Sequence, residues 1–157
     1  MGKTTVKSCA PVCAEELGHY WQTSKKSPNA WLEKDVRALL AKHGAQKVSA
    51  GIITGDDVGA VIVGFSFGGR VYKIIQPVLP SRTGNVYAAQ VQAATILHHY
   101  IKALLLRAKT VGIPSAFVQH QIISGGQTMA EIGDANASSY REIAASAAIA
   151  LQPPRDD

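Results

Sequence analysis

The sequence has little of what marks the easily recognised protein classes. No run approaches the roughly 18 apolar residues that a membrane-spanning helix needs. The stretch 8–14 near the N-terminus is too short and too polar to be the apolar core of a secretory signal. We therefore expect a soluble, intracellular protein with no membrane partner.

Cysteine is nearly absent. The only two, Cys9 and Cys13, lie before the first predicted helix. Two cysteines four residues apart supply at most half of a zinc site, and only His19 and His43 are at hand to complete it. We predict two reduced thiols, no metal and no other cofactor.

Catalytic constellations are also scarce. His98 and His99 are neighbours on a predicted helix and point about 100° apart, so they cannot hold one ion together. Asp56 and Asp57 fall in a turn, where aspartate is common for backbone reasons. Residues 2–4, Gly-Lys-Thr, resemble the end of a phosphate-binding loop but lack the glycine and strand that precede it. With no residue to nominate, we expect a non-enzymatic protein.

Acidic residues are missing from the centre of the chain. The 16 Lys and Arg residues against 11 Asp and Glu residues give a net charge of +5, but no acid occurs between Asp57 and Glu131. We call residues 58–130 the acid-free middle. Its six cations are Arg70, Lys73, Arg82, Lys102, Arg107 and Lys109. Because solvated faces usually mix both signs of charge, this distribution indicates a surface that meets an anion.

The 157 residues suffice for one compact domain. We predict an arm over 1–27, a single α+β domain over 28–151 and a tail over 152–157. The domain is expected to contain a helix, a three-stranded antiparallel sheet, a long helix and a short C-terminal helical region. The first helix should start at Pro28 with Ser27 as its N-cap and end at Gly44. An apolar residue pattern and its breaks predict strands over 47–53, 60–67 and 70–79.

The two later strands predict a hairpin with a fixed register. Gly68 and Gly69 suit a two-residue turn of the primed type, which requires positive φ. The turn then pairs residues that share one large apolar face: Phe67 with Arg70, Phe65 with Tyr72, Val63 with Ile74 and Val61 with Gln76. We assign that face to the core, and the opposite face, with Lys73 near its centre, to a partner or a second layer.

Asn85 is the predicted N-cap of a long helix that runs to about Val111, before Gly112 and Pro114. Its expected inner face comprises Ala89, Ala93, Ile96, Leu97, Tyr100, Leu104, Ala108 and Val111. Apolar residues outside that stripe are Ile101, Leu105 and Leu106. A helix that is apolar on more than one side is deeply buried or shared between subunits, and we favour a homo-oligomer.

The end of the chain predicts a further apolar segment over 115–123 and a turn at Gly125 and Gly126. A return over 128–132 and an Ala-rich helix from Ser138 or Ser139 to Leu151 are expected to follow.

Arg107 falls on the expected inner face, between the directions of Tyr100 and Leu104. A guanidinium stays charged, so burial there would demand a carboxylate or a bound anion. The alternatives are a pair with Asp35, Glu131 or Asp134, or a side chain that reaches solvent from the helix end.

The other side of the long helix carries a sparse basic line of His98, Lys102 and Lys109. With Arg70, Lys73 and Arg82 it forms a candidate surface for phosphates. The alternative is an ordinary solvated face. The aromatic candidates for stacking on bases are Tyr72, Tyr87 and Phe117, although Tyr72 is expected in the core.

Several short motifs occur over residues 31–134. They are Lys42-His43-Gly44-Ala45, Val63-Gly64-Phe65, Gly69-Arg70-Val71, Leu79-Pro80, Ile101-Lys102-Ala103, Gly112-Ile113 and Gly126-Gln127-Thr128. In these the chain resembles a family of uncharacterised small proteins from phages and integrated bacterial elements. It departs from the family in a shorter, less charged loop before the long helix. The resemblance implies a mobile-DNA context and the cytoplasm of a bacterial host cell.

The order of predicted elements is similar to the core of phage single-strand annealing proteins of the RecT and Redβ kind. That resemblance implies rings or helical assemblies that lay DNA in a basic groove between hairpin and helix. Double-stranded RNA-binding domains share the order, but their final helix opens with lysines that 85–90 lacks.

These observations together predict a non-enzymatic, homo-oligomeric protein of a phage or mobile element that binds and anneals single-stranded DNA. The residues expected to hold phosphates are Arg70, Lys73, Arg82, Lys102, Arg107 and Lys109. The alternative is a counter-defence protein that sequesters a nucleotide signal, with Arg107 facing a pocket between subunits, or blocks a host protein. A purely structural assembly component is a third possibility.

Overall fold

The structure, a computed structural model, describes residues 12–55 and 59–133. A helical rod over 28–42 begins as predicted, since the Ser27 hydroxyl accepts the N–H of Ala30 at 3.1 Å. The rod consists of α2 (Pro28–Ala30), a wider π-helical turn (Trp31–Val36) and α3 (Arg37–Lys42). Leu32, Val36 and Leu40 form its buried face.

The sheet has the predicted three strands, β1 (Gln46–Thr54), β2 (Gly59–Phe67) and β3 (Arg70–Val78), in antiparallel order β1-β2-β3. Gly68 and Gly69 have φ of +54° and +80°, which the tight turn requires. The predicted register is confirmed, with Phe65 opposite Tyr72. Both rings are buried, so the aromatic face does form the core.

The long helix α4 (Val86–Val111) is also confirmed. The Asn85 side chain accepts the N–H of Ala88 at 3.1 Å, and Gly112 at φ +87° ends the helix. The core lies between the sheet on one side and α4 with the rod on the other.

The predicted inner face of α4 is wrong at Tyr100 and Val111 in its second half, whereas Leu104 and Ala108 do pack against the core. The buried line continues through Leu97, Ile101 and Leu105, whereas Tyr100 is 37% exposed. Leu105 carries no polar atom and enters the core at little cost, while the Tyr100 hydroxyl needs a polar partner or water. The helix is therefore oriented with Tyr100 at the edge of the core and Leu105 inside it.

The segment expected as one apolar stretch over 115–123 is divided into short elements. These are α5 (Ile113–Ala116), a 3₁₀ turn (Val118–His120) and β4 (Ile122–Ser124). Phe117 is fully buried against Phe65 and Tyr72, so its proposed role in stacking on bases was wrong. The Gly125–Gly126 turn leads into β5 (Gln127–Thr128) and α6 (Met129–Gly133). The predicted helix to Leu151 and the tail lie outside the described residues.

The arm packs on the body from residue 12 onwards and contains α1 (Ala14–Leu17). The Gln92 side-chain amide, buried in α4, donates to the carbonyls of Ala14 and His19 at 3.0 and 2.9 Å. The Tyr20 ring stacks on His99 with centroids 5.0 Å apart. Over the described ranges, no helix has the length and apolar character needed to traverse a bilayer.

Candidate anion-binding site

Lys73 lies inside the protein. Its side chain has no exposed area; its Nζ donates to the Gly126 carbonyl at 2.6 Å and lies 3.0 Å from Glu131 Oε1. On this face of the sheet, Lys73 is therefore covered by the β4–α6 segment as a second layer, whereas Val71 at its end is exposed. A buried ammonium cannot contact the phosphates of a nucleic-acid strand. We therefore leave Lys73 out of the candidate phosphate-binding surface.

Arg82 is exposed but stands beside two carboxylates of α1. Its backbone N–H donates to Glu15 at 3.0 Å, and its guanidinium lies 3.8 Å from Glu16. Glu15 also accepts from the hydroxyls of Ser81 and Thr83, at 2.5 and 2.8 Å. These donors, the Ser81 hydroxyl first, hold the pKa of Glu15 well below its usual range. The loop before α4 is thus already occupied by an anion from its own chain.

Arg70 is exposed at the end of the hairpin, opposite Phe67. No carboxylate of the described residues pairs with it. It stands at the far end of β3 from the loop that holds Arg82, so the structure places these two cations at separate points.

Lys102 and Lys109 lie on one side of α4. Seven residues make nearly two helical turns, so the two side chains point about the same way and start about 10.5 Å apart along the axis. Both are exposed, and no described acid pairs with either. His98, one turn before Lys102, completes the predicted basic line. Burial first, then the charge of His99, lowers the pKa of His98, and Asp35 opposes the shift. His98 therefore adds no permanent charge to that line.

Arg107 is exposed, which agrees with the alternative of a side chain that reaches solvent from the helix end; it is not buried on the expected inner face. The cause is the rotation of the buried line towards Ile101 and Leu105. Two of its proposed partners are engaged elsewhere, because Asp35 accepts from Lys26 at 2.8 Å and Glu131 pairs with Lys73. The third, Asp134, lies outside the described residues. Arg107 is five positions after Lys102, which turns it about 140° around the helix to another flank.

On that flank Arg107 borders an open cavity of about 240 Å³. We call it the Tyr100 pocket; its lining comprises Tyr100, Leu104, Arg107, Ser115, Ala116, Val118, Gln119 and His120. After the turn at Gly112, residues 115–120 run back along the last turns of α4. One wall of the pocket is therefore formed by α4 and the other by residues 115–120. No acid is among these lining residues.

A polar pair stands in the wall of the Tyr100 pocket. The Tyr100 hydroxyl and His120 Nε2 are 2.5 Å apart, and the two rings meet edge to face. Burial raises the pKa of Tyr100 and lowers that of His120, so both rings are neutral near pH 7. Beside the Arg107 guanidinium, this arrangement offers hydrogen-bond donors and one permanent positive charge, which suits an anion.

Sequence reasoning found Arg107 but missed His120, Ser115 and Gln119. The available signal was the Gly112 stop followed by Pro114, which predicts a tight reversal and so a second wall beside α4. The side chains that this wall contributes depend on the path of residues 115–120 after the reversal, and that path is set by the packing of the fold.

Comparisons of the chain with models of protein families, with curated proteins and with solved structures find no match. The resemblance to phage and mobile-element proteins therefore stays a prediction, and a function has to be argued from the site.

Proposed function

We propose that exposed cations of α4 bind the phosphates of single-stranded nucleic acid, and that the protein does not catalyse a reaction. One observation carries the proposal: α4 exposes Lys102, Arg107 and Lys109 and contains no acid over its 26 residues. No described carboxylate neutralises these three cations. A positive surface of this kind attracts a phosphate backbone and releases its counterions on binding.

The spacing of the lysines suits a strand. Along one strand of B-form DNA, phosphates follow each other at about 3.4 Å of axis, so the roughly 10.5 Å between Lys102 and Lys109 spans about three steps. Arg107, on another flank, would hold a part of the ligand that passes across the end of the helix. The cations thus favour a ligand longer than a single nucleotide.

An exposed aromatic side chain favours a single strand over a duplex. Tyr87 is 58% exposed on α4. Unpaired bases stack on such rings, whereas paired bases keep their faces inside the duplex. In the setting that the sequence resemblance implies, the ligand is DNA of a phage or mobile element in a bacterial host cell, and the activity is annealing.

We include homo-oligomerisation in the proposal because α4 also exposes apolar side chains. Val86, Leu106 and Val111 are each more than two-fifths exposed, Leu106 the most at 67%. Apolar residues on the same helix as a phosphate surface would join neighbouring copies and align their cations along one strand.

The test uses fluorescence anisotropy of a labelled single strand. The double variant K102A/K109A should bind every strand sequence more weakly, because phosphate contacts carry no sequence information. The matched control K34A/K42A removes two exposed lysines from the helical rod instead. It should bind like the wild type; equal losses in both variants would contradict a site on α4.

A second candidate function, sequestration of a small nucleotide signal, is favoured by the Tyr100 pocket. Thermal shift separates the two functions. Stabilisation by cyclic dinucleotides, in a protein that no oligonucleotide stabilises, would replace the strand-binding proposal with this one.

A further inference from the structure

We infer that the Tyr100 pocket is a binding site for a phosphate monoester, the terminal phosphate of a nucleotide or strand, with Arg107 as its charged ligand. The inference deepens the proposed function and rests on it, since it adds a site for a strand end to the backbone surface of Lys102 and Lys109.

The charge of the pocket favours an anion. Arg107 stays protonated at every physiological pH. The lining contains no carboxylate, and no described carboxylate elsewhere pairs with Arg107. A planar guanidinium presents paired N–H groups whose geometry matches two phosphate oxygens.

The Tyr100–His120 pair supplies a second donor. When His120 carries its proton on Nε2, it donates to the Tyr100 oxygen, and the phenolic O–H is then free to donate to the ligand. The same direction of donation holds when His120 is protonated. The histidine therefore acts as a positioning residue that fixes the tyrosine hydroxyl, and no proton has to be transferred.

Ser115 and Gln119 add a hydroxyl and an amide to the same cavity. With Arg107 and Tyr100, four side chains can donate to the ligand. A terminal phosphate has three free oxygens and one bulky substituent, whereas an internal phosphodiester has two free oxygens and is substituted on both sides. This set of donors fits the terminal group better.

The size of the cavity sets what else is enclosed. At about 240 Å³ it is below the roughly 300–1,000 Å³ of pockets that enclose drug-sized ligands. It therefore takes the phosphate and the start of the sugar, with Leu104 and Val118 as an apolar wall, and leaves the remaining nucleotides outside.

Calorimetry with adenosine 5′-monophosphate, adenosine and inorganic phosphate tests the inference. The monophosphate should bind the wild type, and adenosine should not. R107A should weaken binding by about tenfold or more, since hydrogen bonds to charged groups contribute on that scale. Y100F should weaken it less. K42A, which removes an exposed cation of the helical rod outside the pocket, should leave it unchanged.

Three calorimetric results would overturn the inference: no binding of the monophosphate, equal weakening by K42A and R107A, or binding of inorganic phosphate alone. Because Arg107 is exposed, circular dichroism should show that R107A is folded. The outcome is separable from the backbone surface, because K102A/K109A should lose strand affinity and keep monophosphate affinity. A strand that binds equally with phosphorylated and unphosphorylated ends would contradict the pocket and leave the backbone surface standing.

Discussion

Two histidines of this protein are partly buried away from solvent and do not bond to a carboxylate. His98 packs against Trp31, and His120 bonds to Tyr100. In both cases burial is the main cause that lowers the pKa below the ordinary 6.5. Burial therefore favours the neutral form of each ring, and protonating the rings at acidic pH destabilises the folded state.

The two histidines predict a pH dependence of stability. Between the folded pKa values and 6.5, the unfolded chain binds more protons, so the free energy of unfolding falls as the pH decreases through that window. We expect the Tm to fall from about pH 7 to about pH 5. The double variant H98Q/H120Q should show a flatter dependence in a thermal melt series, and an unchanged slope would contradict this account.

Lys73 gives a second prediction at the residue scale. Removing one partner of a buried ion pair leaves the other charge without compensation, which typically costs about 3–5 kcal/mol. We expect K73M to lower the free energy of unfolding on that scale in urea melts. R70M, at an exposed position of the same strand, should change it by less than about 0.5 kcal/mol. Similar losses in the two variants would show that the pair with Glu131 is not what Lys73 contributes.

At the scale of elements, one carboxylate ties α1 to the start of α4. Glu15 accepts from the backbone N–H groups of Arg82 and Thr83 as well as from two hydroxyls. These donors lower its pKa, so the stabilisation is complete above the unfolded value of 4.5 and is lost only as the pH falls through the lower folded value.

We expect E15Q to loosen the docking of α1 without unfolding the domain, because the amide accepts fewer of these bonds and carries no charge. Hydrogen exchange should become faster at the amides of Arg82 and Thr83 and in α1. E16Q, whose carboxylate has only the 3.8 Å contact with Arg82, is the control and should exchange like the wild type. Unchanged exchange in E15Q would contradict the anchoring role.

Elements whose signal is local were predictable from the sequence. The hairpin register follows from two adjacent glycines and the two-residue period of the strands, so it needed no tertiary information. Ser27 and Asn85 were predictable as caps for the same reason.

The orientation of α4 was not predictable in this way. Apolar residues occur on more than one side of the helix, and the choice of inner face depends on what packs against it. Phe117 enters the core from the other side of the Gly112 turn and meets Phe65. Ile101 and Leu105 lie in the same core, so Arg107 is turned outwards. The Tyr100 pocket follows from that rotation and from the fold-back of residues 115–120.

At the scale of the whole molecule, cations that are scattered through the acid-free middle do not form one patch. Lys73 is interior, Arg82 faces acids and Arg70 is at the hairpin end. The other three, Lys102, Arg107 and Lys109, share one helix, are exposed and have no described acidic partner. The cations proposed to bind phosphate are thereby reduced from six to three, all on one helix.

The exposed apolar residues of α4 predict assembly. We expect light scattering after size exclusion to give a mass above the 16.6 kDa of one chain. L106E should reduce that mass, because Leu106 is the most exposed large apolar side chain of α4, and burying a carboxylate at an interface is costly. V12E, at an exposed valine of the arm, is the control. A monomeric wild type would contradict the oligomeric part of the proposal.

The salt dependence of strand binding tests the central claim most directly. The logarithm of the affinity for a labelled single strand, measured by anisotropy, should fall linearly with the logarithm of the salt concentration. Each phosphate contact contributes about 0.7 to that slope, so K102A/K109A should reduce it by about 1.4. Absence of binding at about 50 mM salt, or the same slope in both proteins, would contradict a phosphate-binding surface on α4.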